Sequence, residues 1–209
     1  MSRYLVMIRN ILIILGVFSA VIGCKESNFV TNKDDNGKIT EKYAVNKENQ
    51  KHGEYLSYIN GVLSTKANYK NGKLHGERLI YHTNGQVEIE ESYEDDVLVG
   101  LYKSYSINGT LVQEANYKKG VMQGMLKTYY NDGQLKEEVT MVDNQENGPF
   151  KEYHPNGKIK WEGEFLNGDN EYGLLKNYNE AGELIKKMMC NEQGVCSTIW
   201  TIEEGDVQK

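Results

Sequence analysis

The sequence predicts an all-β fold, an elongated single-sheet array of tandem antiparallel β-hairpins, on three observations. A first glycine recurs at Gly53, Gly76, Gly100, Gly124, Gly148 and Gly173, and a second at Gly61, Gly85, Gly109, Gly133, Gly157 and Gly182. Five residues after each first glycine stands a tyrosine: Tyr58, Tyr81, Tyr105, Tyr129, Tyr153 and Tyr178. Inside each unit, apolar residues alternate with polar ones instead of recurring at helical spacing. Six units of 23 to 25 residues with that alternation indicate a one-dimensional stack, in which no hairpin is stable alone and each buries its apolar face against its neighbours.

Within a unit, the second glycine follows Asn60, Asn84, Asn108, Asp132 or Asn156. Asn-Gly or Asp-Gly between alternating segments predicts a two-residue type I′ turn, whose central residues both need positive φ. A further turn falls near Asn71-Gly72, Asp95-Asp96, Lys119-Gly120, Asp143-Asn144 and Asn167-Gly168, while the sixth unit departs with Ala181-Gly182. With Asn108 and Gly109 as loop residues, Lys103 falls opposite Glu114. The same arithmetic sets Lys127 against Glu138 and Lys151 against Glu162. Three cross-strand ion pairs on a solvated face follow, each worth about 0.2–1 kcal/mol. In the sixth unit, Lys176 meets Lys187, a mismatch that predicts a distorted or terminal hairpin.

The opposite face is expected to make the core. It would combine the aliphatic two residues after the second glycine (Leu63, Val87, Leu111, Leu135, Ile159, Leu184) with small residues at Ala67, Ala115, Val139 and Gly163. The bulky residues eight after that glycine (Tyr69, Tyr93, Tyr117, Met141, Phe165, Cys190) would complete it. Strict alternation puts Tyr105 beside Lys103 on the polar face unless a bulge intervenes, which the spacing leaves open. Twelve strands at about 4.8 Å make an array about 60 Å long.

The phrase G-x-x-x-x-Y-x-x-N-G-x-L, with a further aromatic before the next glycine, resembles the MORN repeat family, and is most similar to its divergent bacterial YwqK-like antitoxin form. The resemblance covers Asn36 to Cys196. It implies a twisted sheet of hairpins acting as a scaffold or binding surface, for proteins or, in eukaryotic relatives, for lipids. The chain departs from the family's aromatic two residues after the first glycine, with Tyr55, Arg78, Tyr102, Leu126, Phe150 and Leu175.

The ends are read separately. Residues 1–23 resemble a lipoprotein signal peptide: Arg3 and Arg9 precede an apolar run, Ile11 to Ile22, too short to span a bilayer comfortably. The run ends in Val21-Ile22-Gly23-Cys24, a lipobox-like sequence that makes Cys24 the expected lipid attachment site and mature N-terminus. Residues 24–35 read as a flexible tether, 36–52 as a degenerate capping half-repeat, 53–196 as the six repeats and 197–209 as a C-terminal cap and tail. With Cys24 acylated, Cys190 and Cys196 remain, flanking one turn in an oxidising compartment, and are candidates for a disulfide or for two buried thiols.

Function classes follow from what is present. The net charge of −6 becomes −8 once Arg3 and Arg9 leave with the signal peptide, which argues against a nucleic-acid partner. The four histidines and the cysteines lack metal-ligand spacing, and Asp34–Gly37 and Asp143–Asn147 lack the twelve-residue calcium pattern. No nucleophile elbow or phosphate-cradling loop occurs. The chain is therefore expected to be non-enzymatic, without cofactor or metal. It would be exported and lipid-anchored to a bacterial membrane, with a protein partner bound through its repeats and an oligomeric state the sequence does not specify. Two alternatives stand beside that: an antitoxin or immunity protein that neutralises a toxin, and a glycan-binding module. Tyr81, Tyr105, Tyr129, Tyr153 and Tyr178, at a pitch of roughly 10 Å, are the candidate binding ladder, or the repeat's own internal stack.

Overall fold

The computed structural model describes residues 28–207. Residues 1–23, expected from the sequence to be a signal peptide, and the expected attachment site Cys24 lie outside the described residues. Among the described residues eighteen strand segments form a single antiparallel meander in which consecutive long strands pair, while the two-residue segments Val97–Leu98 and Val121–Met122 pair only with the strand before them. It is an elongated open sheet, not closed into a barrel.

Two kinds of turn alternate along it, with their chemistry exchanged relative to expectation. The type I′ geometry belongs to the turns between units: Asn71-Gly72, Asp95-Asp96, Lys119-Gly120 and Asp143-Asn144 each place both residues at positive φ. Within units two to five, Gly85, Gly109, Gly133 and Gly157 have positive φ, but the Asn or Asp before each does not. There Gly109 N–H bonds to Ser106 O, and Ser106 N–H to Thr110 O. That is a type I turn closed by a left-handed glycine. Only Asn60-Gly61 takes the type I′ form within a unit.

The expected register nevertheless holds, because a second irregularity offsets the first. Pairing slips by one residue immediately before all six tyrosines, at Ser57/Tyr58, Ile80/Tyr81, Ser104/Tyr105, Thr128/Tyr129, Glu152/Tyr153 and Asn177/Tyr178. The extra residue is on the partner strand, for example Val112, since Tyr105 meets Leu111 while Ser104 meets Gln113. A bulge bends its own strand and reverses which way the residues beyond it point. The tyrosine strand is not bulged, so Tyr105 stays on the face of Lys103. Leu111, paired with Tyr105, moves to that face. The aliphatic row therefore lies with the tyrosines, not in the core as the alternation rule predicts.

The other face carries the core. Each first glycine pairs with the bulky residue of its hairpin, Gly124 with Met141 and Gly148 with Phe165. Two residues on, large meets small: Tyr55 with Ala67, Tyr102 with Ala115 and Phe150 with Gly163. The principal buried cluster is Val139, Met141, Phe150, Leu175 and Cys190, packed against Met122, Leu126, Trp161, Phe165 and Met188. It occupies the C-terminal units only.

The N-terminal cap is larger than expected. Asn28–Lys33, which the composition assigns to the tether, is a strand paired with Ile39–Val45. The expected half-repeat is thus a complete hairpin. Its polar residues cap a sheet edge, a role that needs backbone hydrogen bonds and little apolar content. At the other end, Cys196–Thr201 pairs with Leu184–Cys190 and is followed by the short Gly205–Asp206 segment.

Candidate functional site

The face bearing the tyrosine ladder is organised by charge. Across eight strands, Glu90, Lys103, Glu114, Lys127, Glu138, Lys151, Glu162 and Lys176 are successive cross-strand neighbours. The three expected ion pairs do not close in the way the register implies. Among the described residues, this row holds one bridge within 4.0 Å, Lys176 to Glu162 at 2.9 Å, and it joins adjacent units. The glutamates take tyrosine hydroxyls instead. Tyr129 donates to Glu114 at 3.2 Å, Tyr153 to Glu138 at 2.7 Å and Tyr178 to Glu162 at 2.8 Å. Tyr105 faces Glu90, and burial together with that carboxylate pushes its phenol up to about 12. Burial and Glu138 do the same for Tyr153, also to about 12. The hydrogen bonds from Lys176 and Tyr178 hold the Glu162 carboxyl below its ordinary value.

The predicted ladder residues are thus brought onto one face, and the hydroxyls of Tyr129, Tyr153 and Tyr178 serve the sheet's own carboxylates. Tyr81 borders a recess with Leu63 and His82. Neighbouring units are also tied through the residue after the tyrosine: His82 Nε2 and His154 Nε2 donate to Tyr105 O at 2.9 Å and Tyr178 O at 2.8 Å, and Tyr130 Oη donates to Tyr153 O at 2.6 Å. The sixth hairpin is not distorted by Lys176 opposite Lys187. Lys176 turns back to Glu162, and Lys187 lies 5.1 Å from the Trp200 ring on the next strand. Like charges directly opposite cost little when each has an outward partner.

The acidic turns serve the backbone. Asp34 accepts the N–H groups of Asn36 and Lys38, and Asn144 accepts that of Met122. The sulfurs of Cys190 and Cys196 are joined across the last hairpin, with Cα atoms 3.9 Å apart. Glu171 lies near them, but bonded sulfurs are not thiolate ligands.

The second face holds a tyrosine set that the spacing assigned to the core. In the C-terminal units it is closed by Leu126, Met141, Phe150, Phe165, Leu175 and Cys190. In the N-terminal units the same positions carry Tyr55, Tyr69, Arg78, Tyr93, Tyr102 and Tyr117, all partly exposed. Tyr55 and Tyr69 meet edge to face with centroids 5.4 Å apart, and Tyr102 and Tyr117 do so at 6.0 Å. Arg78 pairs with Glu91 at 3.5 Å and donates to Tyr93 Oη at 3.3 Å. Burial raises the phenols of Tyr69, Tyr93, Tyr102 and Tyr117, so all are neutral donors at physiological pH. The signal was present in the residue types. A hydroxyl must find a partner when buried, so tyrosine in place of Phe, Leu or Met indicates a half-wet surface.

Four units match the family model of the MORN repeat variant, at residues 74–95, 98–119, 122–143 and 146–167. The chain carries MORN-type repeats. These matched units span the change from the tyrosine-lined to the hydroxyl-free face, and the unit at 53–73, the sixth hairpin and both end hairpins continue the same sheet beyond them. MORN repeats are a non-catalytic scaffold architecture. No curated protein matches the chain.

Proposed function

We propose that this chain is a lipid-anchored, non-enzymatic scaffold of the cell envelope that binds a protein partner through the tyrosine-lined half of its second face. The observation that carries this reading is the division of that face. Apolar side chains without a hydroxyl, Phe150 and Phe165 among them, close the C-terminal half, whereas Tyr55, Tyr69, Tyr93, Tyr102 and Tyr117 leave the N-terminal half covered by rings with polar tips. Tyrosine, with an apolar body and a polar handle, is enriched at protein interfaces because it gives large contact area at low entropic cost. MORN repeats generally mediate protein–protein interactions, which supports the same assignment. The anchor rests on the sequence alone: Arg3, Arg9, the apolar run to Ile22 and Cys24. An acidic mature chain favours a partner whose contacting surface is basic.

The test places a photo-crosslinking residue at Gln113, on the tyrosine-lined face, or at Asn116, on the ladder face, in intact cells. The expected result is an adduct with one protein from position 113 and not from 116. Absence of any protein adduct from both positions refutes the scaffold reading, and a toxin as the captured partner replaces it with neutralisation. Palmitate labelling lost in Cys24→Ala supports the anchor, and equal labelling removes it.

A further inference from the structure

Near the N-terminal end of the tyrosine-lined face, three rings surround one point. Tyr43 and Tyr55 are cross-strand neighbours with centroids 6.1 Å apart, and Tyr69 meets Tyr55 edge to face at 5.4 Å. Lys51 Nζ sits among them, 4.7 Å from the Tyr43 centroid, 4.1 Å from that of Tyr55 and 5.3 Å from that of Tyr69. Among the described residues it closes no ion pair with a carboxylate within 4.0 Å. Ring faces contact this ammonium directly, and the nearby Glu41 carboxylate acts on it only through space.

That arrangement suits a different cation better than the one it holds. A lysine ammonium carries three N–H donors that want acceptors, and π-faces satisfy them poorly. An ammonium whose hydrogens are replaced by methyl groups has nothing to donate, spreads its charge over an apolar surface and gains from each ring face. A counter-charge is in place. Glu41 accepts the Tyr55 hydroxyl at 2.7 Å and an Asn32 amide N–H at 2.9 Å. These two bonds hold its carboxyl below the ordinary value. Beside the rings opens a recess of ≈ 260 Å³ lined by Tyr55, Ser57, Thr65, Tyr69 and Arg78, room for a compact headgroup.

We propose that Tyr43, Tyr55 and Tyr69 form a binding site for a quaternary ammonium group, and that Lys51 is a displaceable internal cation that occupies it at rest. This rests on reading the face as the binding face and gives the chemistry it recognises. A trimethylated lysine of a partner protein and a free choline-like cation share that chemistry. Lys51 must leave before either enters, so the resting site binds more weakly than its rings allow.

The experiment is calorimetric titration of the purified mature chain with choline and with a peptide containing trimethyl-lysine. Ethanolamine and the unmethylated peptide are the controls. Lys51→Ala is expected to bind choline at least about tenfold more tightly than wild type, because the competing cation is gone. Lys51→Gln, which keeps a polar stem without the charge, should behave the same way and serves if Lys51→Ala fails to fold. Adding Tyr55→Leu should abolish binding in a variant whose circular dichroism remains that of a folded sheet. Ethanolamine should bind about tenfold more weakly than choline. Tighter binding of the methylated peptide than of choline assigns the cation to a partner side chain, and choline binding that matches or exceeds it assigns a free cation. The proposal is overturned if folded Lys51 variants bind no quaternary ammonium, if binding survives Tyr55→Leu, or if ethanolamine binds as well as choline. Because the titration contains no partner, a null result leaves the crosslink at Gln113 standing, and loss of that crosslink leaves the titration standing.

Discussion

Gly163→Ala adds one methyl at the most crowded glycine among the described residues. The new Cβ would lie 2.9 Å from Leu175 Cγ and 3.0 Å from Phe150 Cε1, with Phe150 Cζ at 3.3 Å. Leu175 is 0% and Phe150 5% exposed, so neither can swing into solvent. Overpacking of this kind costs about 1–3 kcal/mol. Gly163 is not in the left-handed region, so alanine also restricts the unfolded chain and returns about 0.4–1 kcal/mol. The net expectation is a loss of roughly 0.5–2 kcal/mol, read as a lower urea midpoint at unchanged slope. The neighbouring hairpin shows what should relieve it, for there Leu126 faces Val139 where Phe150 faces Gly163. Phe150→Leu with Gly163→Val rebuilds that pair, and the double mutant should be more stable than the sum of the single changes by at least about 0.5 kcal/mol. A neutral or stabilising Gly163→Ala, or strict additivity in the cycle, would refute the claim that large-to-small complementarity sets this core.

Three further outcomes are expected. Glu114→Lys should cost about 1–2 kcal/mol in urea unfolding, more than a solvated face implies, because it removes the Tyr129 acceptor and leaves Lys103, a new lysine and Lys127 side by side. The tyrosine contribution to stability should be fully present below pH 10 and be lost as pH rises toward 12, since the phenols of Tyr105 and Tyr153, 10.0 when unperturbed, are pushed up to about 12 and hold their protons more tightly when folded. Replacing both by Phe should reduce the slope of that part of the melting-temperature profile, Tyr55, also pushed up to about 12, supplying some of the remainder. Reducing the Cys190–Cys196 bridge, at a sequence separation of 6, should cost about 2 kcal/mol by loop closure, seen as a lower melting temperature and two thiols by alkylation.

Much of the architecture was legible because the repeat states its pairing many times over. Lys103 opposite Glu114 follows from the spacing of two glycines, and it survived an error in turn type because the bulge before Tyr105 restores the residue that the turn removes. What was not legible is where that bulge falls. No residue type marks the extra position, which is Ser64, Glu88, Val112, Lys136, Lys160 or Ile185 in the six units. A bulge there reverses the side of a single neighbour, so the aliphatic row was placed on the wrong face while the small and bulky rows were placed correctly. Asn28–Lys33 was missed for a different reason. A capping strand needs backbone partners more than side-chain burial, and NFVTNK carries little periodic signal.

The two tyrosine sets show how one residue type takes opposite roles on two faces of a single sheet. On the ladder face Tyr105, Tyr129, Tyr153 and Tyr178 each face a glutamate of the preceding unit, fixed by the same register that fixes the lysines, so these hydroxyls have internal partners and that part of the row is structural. On the second face, the carboxylate supply is irregular. Tyr55 donates to Glu41 and Tyr93 to Glu91, while Tyr117 is raised by burial and by the Glu91 charge without a hydrogen bond to it. A side chain repeated with its partner belongs to the array. The second set, repeated with changing partners and interleaved with Lys51 and Arg78, is free of that constraint, which is why the binding surface is sought there and not on the six-fold invariant ladder.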